Sequence, residues 1–262
     1  MILGVSDHPS FEGPLTEFLS FASSLKVGLV ELKLDRIELL PTLSSMEEMR
    51  KIRDILETFS FRYLVHAPYI GVNLASLNPA IREASRGLVS SAIKFANFID
   101  ARLVVSHVGR LSRDYPERLV ERAVGNAVSA LTSLQSLSED LGVTFTIEND
   151  HRSGDRVLAG TPEQIRPLLE GVGCRLTFDV GHANTLGRPE EFLKSLRDYV
   201  VNVHLHDNDG VGDSHLPLGR GNVNLKGVFT ALGGSLRDIP LIIECHSFAD
   251  IRESLKVVRS LI

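Results

Sequence analysis

The stretch VHLHDNDGVGDSH, residues 203–215, places three histidines and three aspartates within thirteen positions. It begins with alternating apolar residues, as a half-buried strand does, and it ends in glycines and aspartates, as a loop does. Imidazole and carboxylate groups together are common ligands of Zn²⁺ and related divalent ions. A site built here needs further ligands, which other elements of the chain must supply.

Similar polar side chains follow other apolar runs of the sequence, at or just after the point where each run ends. Because alternate side chains of a strand face opposite ways, the polar residues of each run share one face and the apolar residues share the other. We expect the apolar face to pack under helices. The candidate metal-binding and catalytic residues are His66, His107, Glu148, Asp179, His182, His204, Asp213, His215 and Glu244.

Eight such β-rich runs recur along the chain. They are ILGVS (2–6), GLVELKL (28–34), FRYLVHAPY (61–69), ARLVVSHVG (101–109), VTFTIEND (143–150), RLTFDVGH (175–182), VNVHLHD (201–207) and PLIIECHS (240–247). Helix-like segments lie between them, with start and stop signals such as Asn-Pro, Thr-Pro and a terminal Gly; they include 78–98, 116–142 and 161–171.

The alternation of strands and helices predicts parallel βαβ units. Eight units in 262 residues match a single-domain (β/α)8 TIM barrel spanning residues 1–262, whose usual size is about 250 residues. An open doubly wound sheet is the alternative, but it usually has a Gly-rich turn after its first strand, where this sequence reads SDHPSFEG. In barrel enzymes the catalytic groups come from the carboxyl ends of the strands, where the candidate residues lie.

Several carboxylates brought together at one rim would repel one another and raise each other's pKa. Divalent cations remove that cost, so we expect a bound metal such as Zn, Mn or Co. A polar pocket without metal is the alternative.

Composition restricts the remaining possibilities. The formal net charge is −5, which argues against a large basic surface for nucleic acid. No apolar run reaches membrane-spanning length, so we expect no membrane association. The two cysteines, Cys174 and Cys245, imply no disulfide framework. We expect them at opposite ends of the barrel as free thiols, in a cytoplasmic protein.

An ordered series of motifs resembles the xylose isomerase-like barrel superfamily, which contains sugar isomerases and epimerases and the endonuclease IV type of DNA-repair enzyme. The motifs run in matching order from about residue 60 to 247. They are VHAPY (65–69), SHVG (106–109), IEN (147–149), DVGHA (179–183), VHLHDNDGVGDSHLPLGRGN (203–222) and IIEC (242–245).

The two branches imply different metal sites. In the epimerase branch the resemblance implies one metal ion, with the ligands Glu148, Asp179, His204 and Glu244. Glu148 and Glu244 would then also be the catalytic acid–base pair. In the endonuclease branch it implies three zinc ions, with Glu148 as a bridge. Their ligand sets would be His66, His107 and Glu148; then Glu148, Asp179, His204 and Glu244; and then His182, Asp213 and His215.

The sequence departs from each branch. Ser214 stands where the endonuclease branch has Arg, and NDHRSG (149–154) replaces its Gly-rich segment. Gly210 stands where tagatose-type epimerases have Arg. Asp150 stands where xylose isomerases have Lys, which argues against a hydride shift.

We therefore expect a metal-dependent sugar or sugar-phosphate isomerase or epimerase that works by proton transfer through an enediolate, with one to three metal ions. The predicted substrate-binding residues are His182, His206, His246 and Asn73. The alternatives are an apurinic endonuclease of the endonuclease IV type, with DNA as partner only in that case, and a metal-dependent dehydratase or lyase.

Overall fold

The computed structural model describes residues 2–187, 189–234 and 238–261. Eight parallel strands in it close into a barrel. These strands are β1 (Ile2–Ser6), β2 (Leu29–Lys33), β3 (Arg62–His66), β4 (Leu103–Ser106), β6 (Thr144–Glu148), β8 (Arg175–Asp179), β9 (Val200–Leu205) and β10 (Pro240–Ile243). Each strand pairs with the next barrel strand in this order, and β10 closes the ring against β1. The predicted (β/α)8 barrel is confirmed.

Helices connect the strands and surround the barrel. They are α1 (Leu15–Ser24), α2 (Met46–Glu57), α3 (Pro79–Phe98), α4 (Val120–Asp140), α5 (Pro162–Val172), α6 (Val180–Leu186), α7 (Pro189–Leu196), α8 (Leu225–Leu232) and α9 (Phe248–Leu261). The expected Asn-Pro start of α3 is present, because the Asn78 side chain accepts a hydrogen bond from the N–H of Ala80 at 3.0 Å. None of the described helices is long and apolar enough to cross a membrane.

Two short segments form a ribbon beside the upper end of the barrel. β5 (Arg110–Leu111) and β7 (Arg156–Val157) pair antiparallel. They belong to the loops that follow β4 and β6. Arg156 fixes the ribbon, since its Nη1 donates to the carbonyls of Ser112 and Tyr115 at 2.9 and 2.8 Å.

The barrel interior changes from apolar to polar toward the carboxyl ends of the strands. At the lower end, apolar side chains pack together, among them Leu29, Leu64 and Ile242. Higher up, the hydroxyls of Thr146 and Thr177 are 2.7 Å apart. Charged residues lie above them. This layering leaves the upper end open for chemistry while the lower end stabilises the fold.

The outward faces of the strands pack against the helices as alternation predicts. Phe145 of β6 and Phe178 of β8 are fully buried there. Burial of each such side chain stabilises the fold by roughly 1.5–3 kcal/mol. Cys174 and Cys245 are buried and free, so the expected absence of a disulfide between them is confirmed.

Most strands are shorter than their sequence runs, and this changes the setting of three candidates. β4 ends at Ser106, so His107 begins the following loop. Glu244 lies one residue after β10, although its N–H still donates to the carbonyl of Leu205 at 3.1 Å. His182 does not end a strand as its run suggested. It lies in the first turn of α6, because Asp179 ends β8 and caps that helix.

Candidate metal centre

The upper end of the barrel contains a cavity of about 490 Å³. Glu148 and Glu244 border it, whereas Asp179 and His204 lie fully buried beneath its floor. All nine candidate residues belong to one network, in which imidazole nitrogens and carboxylate oxygens of neighbouring side chains are 2.9–3.9 Å apart. The structure thus brings together side chains from several different strands and loops.

Glu148 lies at the centre of this network. It ends β6 and is only 1% exposed. Its Oε1 is 2.9 Å from Nδ1 of His204. Its Oε2 is 3.2 Å from Nε2 of both His66 and His107. One carboxylate therefore contacts imidazoles that come from three other barrel segments.

Asp179 is held rigidly behind Glu148. Its Oδ1 accepts from the N–H of His182 at 2.6 Å, as the cap of α6. The side chain of Asn149 brackets its backbone, because the amide donates to the carbonyl of Asp179 (2.8 Å) and accepts from its N–H (2.7 Å). Nε2 of His206 is 3.1 Å from the same Oδ1. The second oxygen, Oδ2, remains directed into the cluster.

The loop after β9 brings Asp213 and His215 back over the barrel. Oδ2 of Asp213 is 3.3 Å from Nε2 of His182 and 3.2 Å from Nε2 of His215. His215 adopts a φ of 46°, a left-handed conformation that is uncommon for residues other than glycine. Its ring stacks on that of His206, with centroids 3.8 Å apart. The stack and the Asp213 contact hold the strained residue in place.

Asp207 has a structural role in the same loop. Its carboxylate accepts from the backbone N–H groups of Asn208, Gly219 and Val223 at 2.9, 2.8 and 3.0 Å. It is fully buried and ties the two ends of the loop together. Of the acidic residues in this loop, Asp213 is therefore the one available to the cluster.

Three histidines share a bonding pattern that is typical of metal ligands. In each, Nδ1 donates to a backbone carbonyl; the pairs are His66 to Ala67 (2.8 Å), His182 to Asn149 (2.8 Å) and His215 to Glu244 (3.1 Å). Because a carbonyl only accepts, Nδ1 carries the hydrogen and Nε2 of the neutral ring presents a lone pair. That lone pair faces a carboxylate oxygen of Glu148 or Asp213. A proton on Nε2 makes this contact favourable, and a bound metal cation would take the place of that proton.

The charges of the cluster reinforce one another. Burial alone would raise the pKa of Glu148, but His204 and His107 hold it well below its usual range. His204 and Lys33 likewise outweigh burial and lower the pKa of Glu244. Glu244 and Glu31 in turn raise the pKa of His204 well above its usual value, against the effect of burial. The glutamates are thus ionised, and imidazole protons balance them when no other cation is bound.

Burial has the opposite effect on the histidines at the edge of the network. It lowers the pKa of His107 to about 4 despite the nearby Glu148. Burial and the charge of His215 lower the pKa of His246 to about 4. These rings are neutral at pH 7 and can serve as ligands or as hydrogen-bonding partners.

Two charged residues of β2 were not predicted as part of the site. Glu31 Oε2 is 2.9 Å from Nε2 of His204. Lys33 Nζ is 2.9 Å from Oε1 of Glu244. Both side chains are buried. The available signal was two charges at alternate positions of an otherwise apolar run.

The predicted substrate-binding residues occupy different positions. Asn73, His182 and His246 border the cavity. The Asn73 amide also donates to the carbonyl of Arg110 at 2.8 Å, so it fixes the ribbon as well. His206 is fully buried and faces Asp179, instead of lying at the rim. It fits there because Gly181 has no side chain; a Cβ at Gly181 would lie 2.0 Å from the His206 ring.

The donor set fits divalent metal ions. Four groupings have donor atoms within 4.8 Å of one another: His66–His107–Glu148, Glu148–Asp179–His182, Glu31–His204–Glu244 and His182–His206–Asp213–His215. Among the residues that the structure describes, Oδ2 of Asp179 and Oδ1 of Asp213 are buried and accept no hydrogen bond. Such oxygens are costly to bury unless a cation satisfies them. The protein thus carries His, Asp and Glu clusters able to hold a metal.

Comparisons with known proteins agree with this architecture. The structure of a D-tagatose 3-epimerase-like protein superimposes with a TM-score of 0.88 at 29% identity, covering 100% of this chain and 97% of that one. A protein from Thermus thermophilus, described after soaking with ZnCl2, has a TM-score of 0.77 at 25% identity and coverages of 100% and 98%. A probable endonuclease 4 of Natranaerobius thermophilus is 28% identical over 186 residues, 62% of each chain.

A model of one protein family matches residues 19–261 of this sequence. The match spans nearly all of the barrel and includes every candidate ligand. The motif series and the eight closed strands agree with it. The chain therefore belongs to the xylose isomerase-like TIM barrel family.

Proposed function

We propose that the protein is a metal-dependent isomerase or epimerase of a small sugar or sugar phosphate. One observation carries this proposal. Two ionised glutamates, Glu148 and Glu244, border one small cavity and approach Nδ1 of His204 at 2.9 and 3.3 Å. Two carboxylates facing one cavity suit a reaction in which one group removes a proton from carbon and the other returns it.

The ligands of the principal metal ion would be Glu148, Asp179, His204 and Glu244. A bound Zn²⁺, Mn²⁺ or Co²⁺ ion supplies Lewis acidity to adjacent oxygens of the substrate. Further ions, up to three in all, would be held by His66, His107, His182, Asp213 and His215. The prepared Nε2 lone pairs of three of these histidines support more than one ion.

The protein groups then divide the proton transfer between them. Glu148 takes a proton from the carbon beside the carbonyl, leaving an enediolate. Glu244, which Lys33 contacts at 2.9 Å, is ionised at the start; it first accepts a proton from a substrate hydroxyl or from solvent water and then returns that proton to the opposite face or to the neighbouring atom, while the proton on Glu148 is released to solvent. The two glutamates come from β6 and from the end of β10, which are not adjacent in the barrel, so they approach a substrate from different directions.

The cavity lining supports a small polyol as substrate. Its lysine and arginine are already paired, Lys33 with Glu244 and Arg110 with Asp150, where Nε donates at 2.7 Å. Neither is thus free to bind a nucleic-acid backbone. Neutral hydroxyl-binding groups such as His246 and Asn73 remain, and we propose them as substrate contacts together with His182. His206 would act through Asp179.

We also propose that this activity belongs to the cytoplasm. Cys174 and Cys245 are free and buried. Cysteines that remain unpaired are typical of a reducing compartment.

A phosphodiesterase acting at abasic sites in DNA is the second candidate. The grouping of His182, Asp213 and His215 favours it, because these residues could hold an ion in addition to the one beside the two glutamates, and proton transfer itself requires only that one. The similarity to a probable endonuclease 4 also supports it, although the chain spans only 62% of that relative's length. Metal-bound hydroxide would serve such a hydrolysis.

Deuterium exchange distinguishes the two candidates. Metal-loaded protein is incubated in D2O with ketoses, aldoses and their phosphates, and isotope uptake beside the carbonyl is followed by NMR. The isomerase should exchange this hydrogen, and Glu148→Gln should slow the exchange by about 10²–10⁴-fold. Glu121→Gln, on the exposed side of α4, is the matched control. Absence of exchange with every sugar, together with incision of an abasic duplex, would replace the first candidate by the second.

A further inference from the structure

Strand β2 directs two opposite charges into the barrel beneath the metal centre. Glu31 and Lys33 are two positions apart, so both side chains face inward. Both are buried. Glu31 contacts His204, and Lys33 contacts Glu244. Neither residue belongs to the proposed principal ligand set of Glu148, Asp179, His204 and Glu244, although Glu31 forms one of the four groupings with His204 and Glu244.

The ring of His204 determines what Glu31 does. Nδ1 faces the oxygens of Glu148, Glu244 and Asp179 at 2.9, 3.3 and 3.9 Å. A metal ion held by these carboxylates would bind His204 through Nδ1. The proton is then on Nε2, which faces Glu31 at 2.9 Å. Glu31 would therefore accept a hydrogen bond from the Nε2–H of His204 and increase the basicity of Nδ1.

Glu31 is itself fixed in this orientation. The hydroxyl of Ser6, on the neighbouring strand β1, donates to its Oε1 at 3.2 Å. Its Oε2 is left for His204. A carboxylate held on one oxygen in this way loses little additional freedom when it orients the imidazole.

Lys33 acts in the opposite sense. Its Nζ is 2.9 Å from Oε1 of Glu244, the oxygen that also lies 3.3 Å from Nδ1 of His204. An ion held by Glu244 through this oxygen would thus share it with Lys33. The ring of Tyr69, whose centroid is 5.5 Å from Nζ, helps to hold the ammonium there. A fixed positive charge at this distance opposes the binding of a second cation.

We propose that β2 sets the metal affinity of the centre through these opposing charges: Glu31 strengthens binding and Lys33 weakens it. This inference rests on the metal site of the proposed function and not on the reaction that the site performs. Loss of Glu31 and loss of Lys33 should therefore change the affinity for the metal ion in opposite directions. Damage to the fold would weaken binding in both cases.

The test is competition for Zn²⁺ between the protein and a chromophoric chelator, repeated with Co²⁺. We expect Glu31→Gln to bind the tightest zinc ion about tenfold more weakly, at the lower end of the usual effect of losing such a partner. We expect Lys33→Met to bind it about tenfold more tightly, since the repulsion is removed. Lys33→Arg keeps the charge and should stay near the wild-type affinity.

Opposite shifts in Glu31→Gln and Lys33→Met support the inference, and shifts in the same direction or no shifts overturn it. If Glu31→Gln does not fold, Ser6→Ala replaces it. That variant frees Oε1 of Glu31 and should weaken zinc binding to a smaller extent, and unchanged binding would contradict the role of Glu31. A wild-type protein that binds no zinc refutes the proposed metal centre itself.

Discussion

Replacement of His215 by alanine tests how many metal ions the centre holds. Nε2 of His215 is 3.2 Å from Oδ2 of Asp213, and Nδ1 donates to the carbonyl of Glu244 at 3.1 Å. Without the ring, Asp213 and His182 keep only part of a ligand set, because Nε2 of His206, the fourth member of the grouping, is engaged with Oδ1 of Asp179 at 3.1 Å. Because a stable transition-metal site usually needs three or more protein ligands, we expect the metal content to fall by about one ion per chain. The ion beside Glu148 should remain.

The substitution should leave the barrel folded. It removes one hydrogen bond, which contributes about 1 kcal/mol. It also removes the stacks on His206 at 3.8 Å and on His246 at 4.6 Å, each of which adds roughly 0.5–1.5 kcal/mol. The φ of 46° is not relieved, because alanine also disfavours a positive φ. The loss of about 2–4 kcal/mol is smaller than the 5–15 kcal/mol that stabilises a typical domain.

The assay is elemental analysis of the wild type and the variant after gel filtration, with thermal unfolding measured in parallel. His246→Ala is the matched control. Its ring stacks on His215 with centroids 4.6 Å apart, but it belongs to none of the four ligand groupings. The control should therefore keep the full metal content. An unchanged metal content in His215→Ala would show that our assignment of a second metal position is incorrect.

Two further predictions concern groups outside the centre. Burial raises the pKa of both Cys174 and Cys245 to about 12, so the native protein should not react with a thiol reagent at pH 8. Unfolded, unreduced protein should titrate two thiols, and fewer than two would reveal a disulfide. Asp207→Ala should lower the free energy of unfolding by about 3 kcal/mol, because three N–H groups lose their acceptor and two of them, those of Asn208 and Val223, are buried. Asp209→Ala, an exposed change in the same loop, should cost far less in chemical denaturation, and equal losses would contradict the structural role of Asp207.

The strands and the main features of the centre could be predicted because they depend on local patterns. Alternation fixes which face of β6 or β9 is polar, and in a parallel barrel all carboxyl ends meet at one rim. Glu148 and His204 therefore had to be neighbours once the barrel was assumed. The ends of the strands were harder to predict from the sequence, because residues such as His107 follow an apolar run without a turn signal that separates strand from loop.

Other features depend on packing between distant segments. An inward Lys33 is unfavourable in isolation and becomes favourable only because Glu244, far away in the chain, lies 2.9 Å from it. His206 shares a face with His204, so alternation places it at the rim. The structure instead places His206 against α6, because Gly181 has no side chain and leaves room for the ring beside Asp179. The pattern of one strand does not show that a glycine of another element leaves such space.

The charges at the cavity floor connect the number of metal ions to the chemistry. Five carboxylates lie at the floor and wall of the cavity, and Lys33 offsets one of them; they are Glu31, Glu148, Asp179, Asp213 and Glu244. Two divalent ions would neutralise the remainder, whereas one ion would leave protons on imidazoles that could not then coordinate. A proton-transfer isomerase needs only the ion beside its two glutamates.

An ion at Asp213 would lie at the cavity wall, since Asp213 borders the cavity with His182 and His215. There it would hold substrate oxygens and place the reacting carbon against Glu148. In the isomerase, His215→Ala should therefore raise KM for the sugar more than it lowers kcat. In a phosphodiesterase that ion would contact the group being hydrolysed, and the same variant should lose kcat instead. The division of the defect between kcat and KM thus reports which chemistry the second metal position serves.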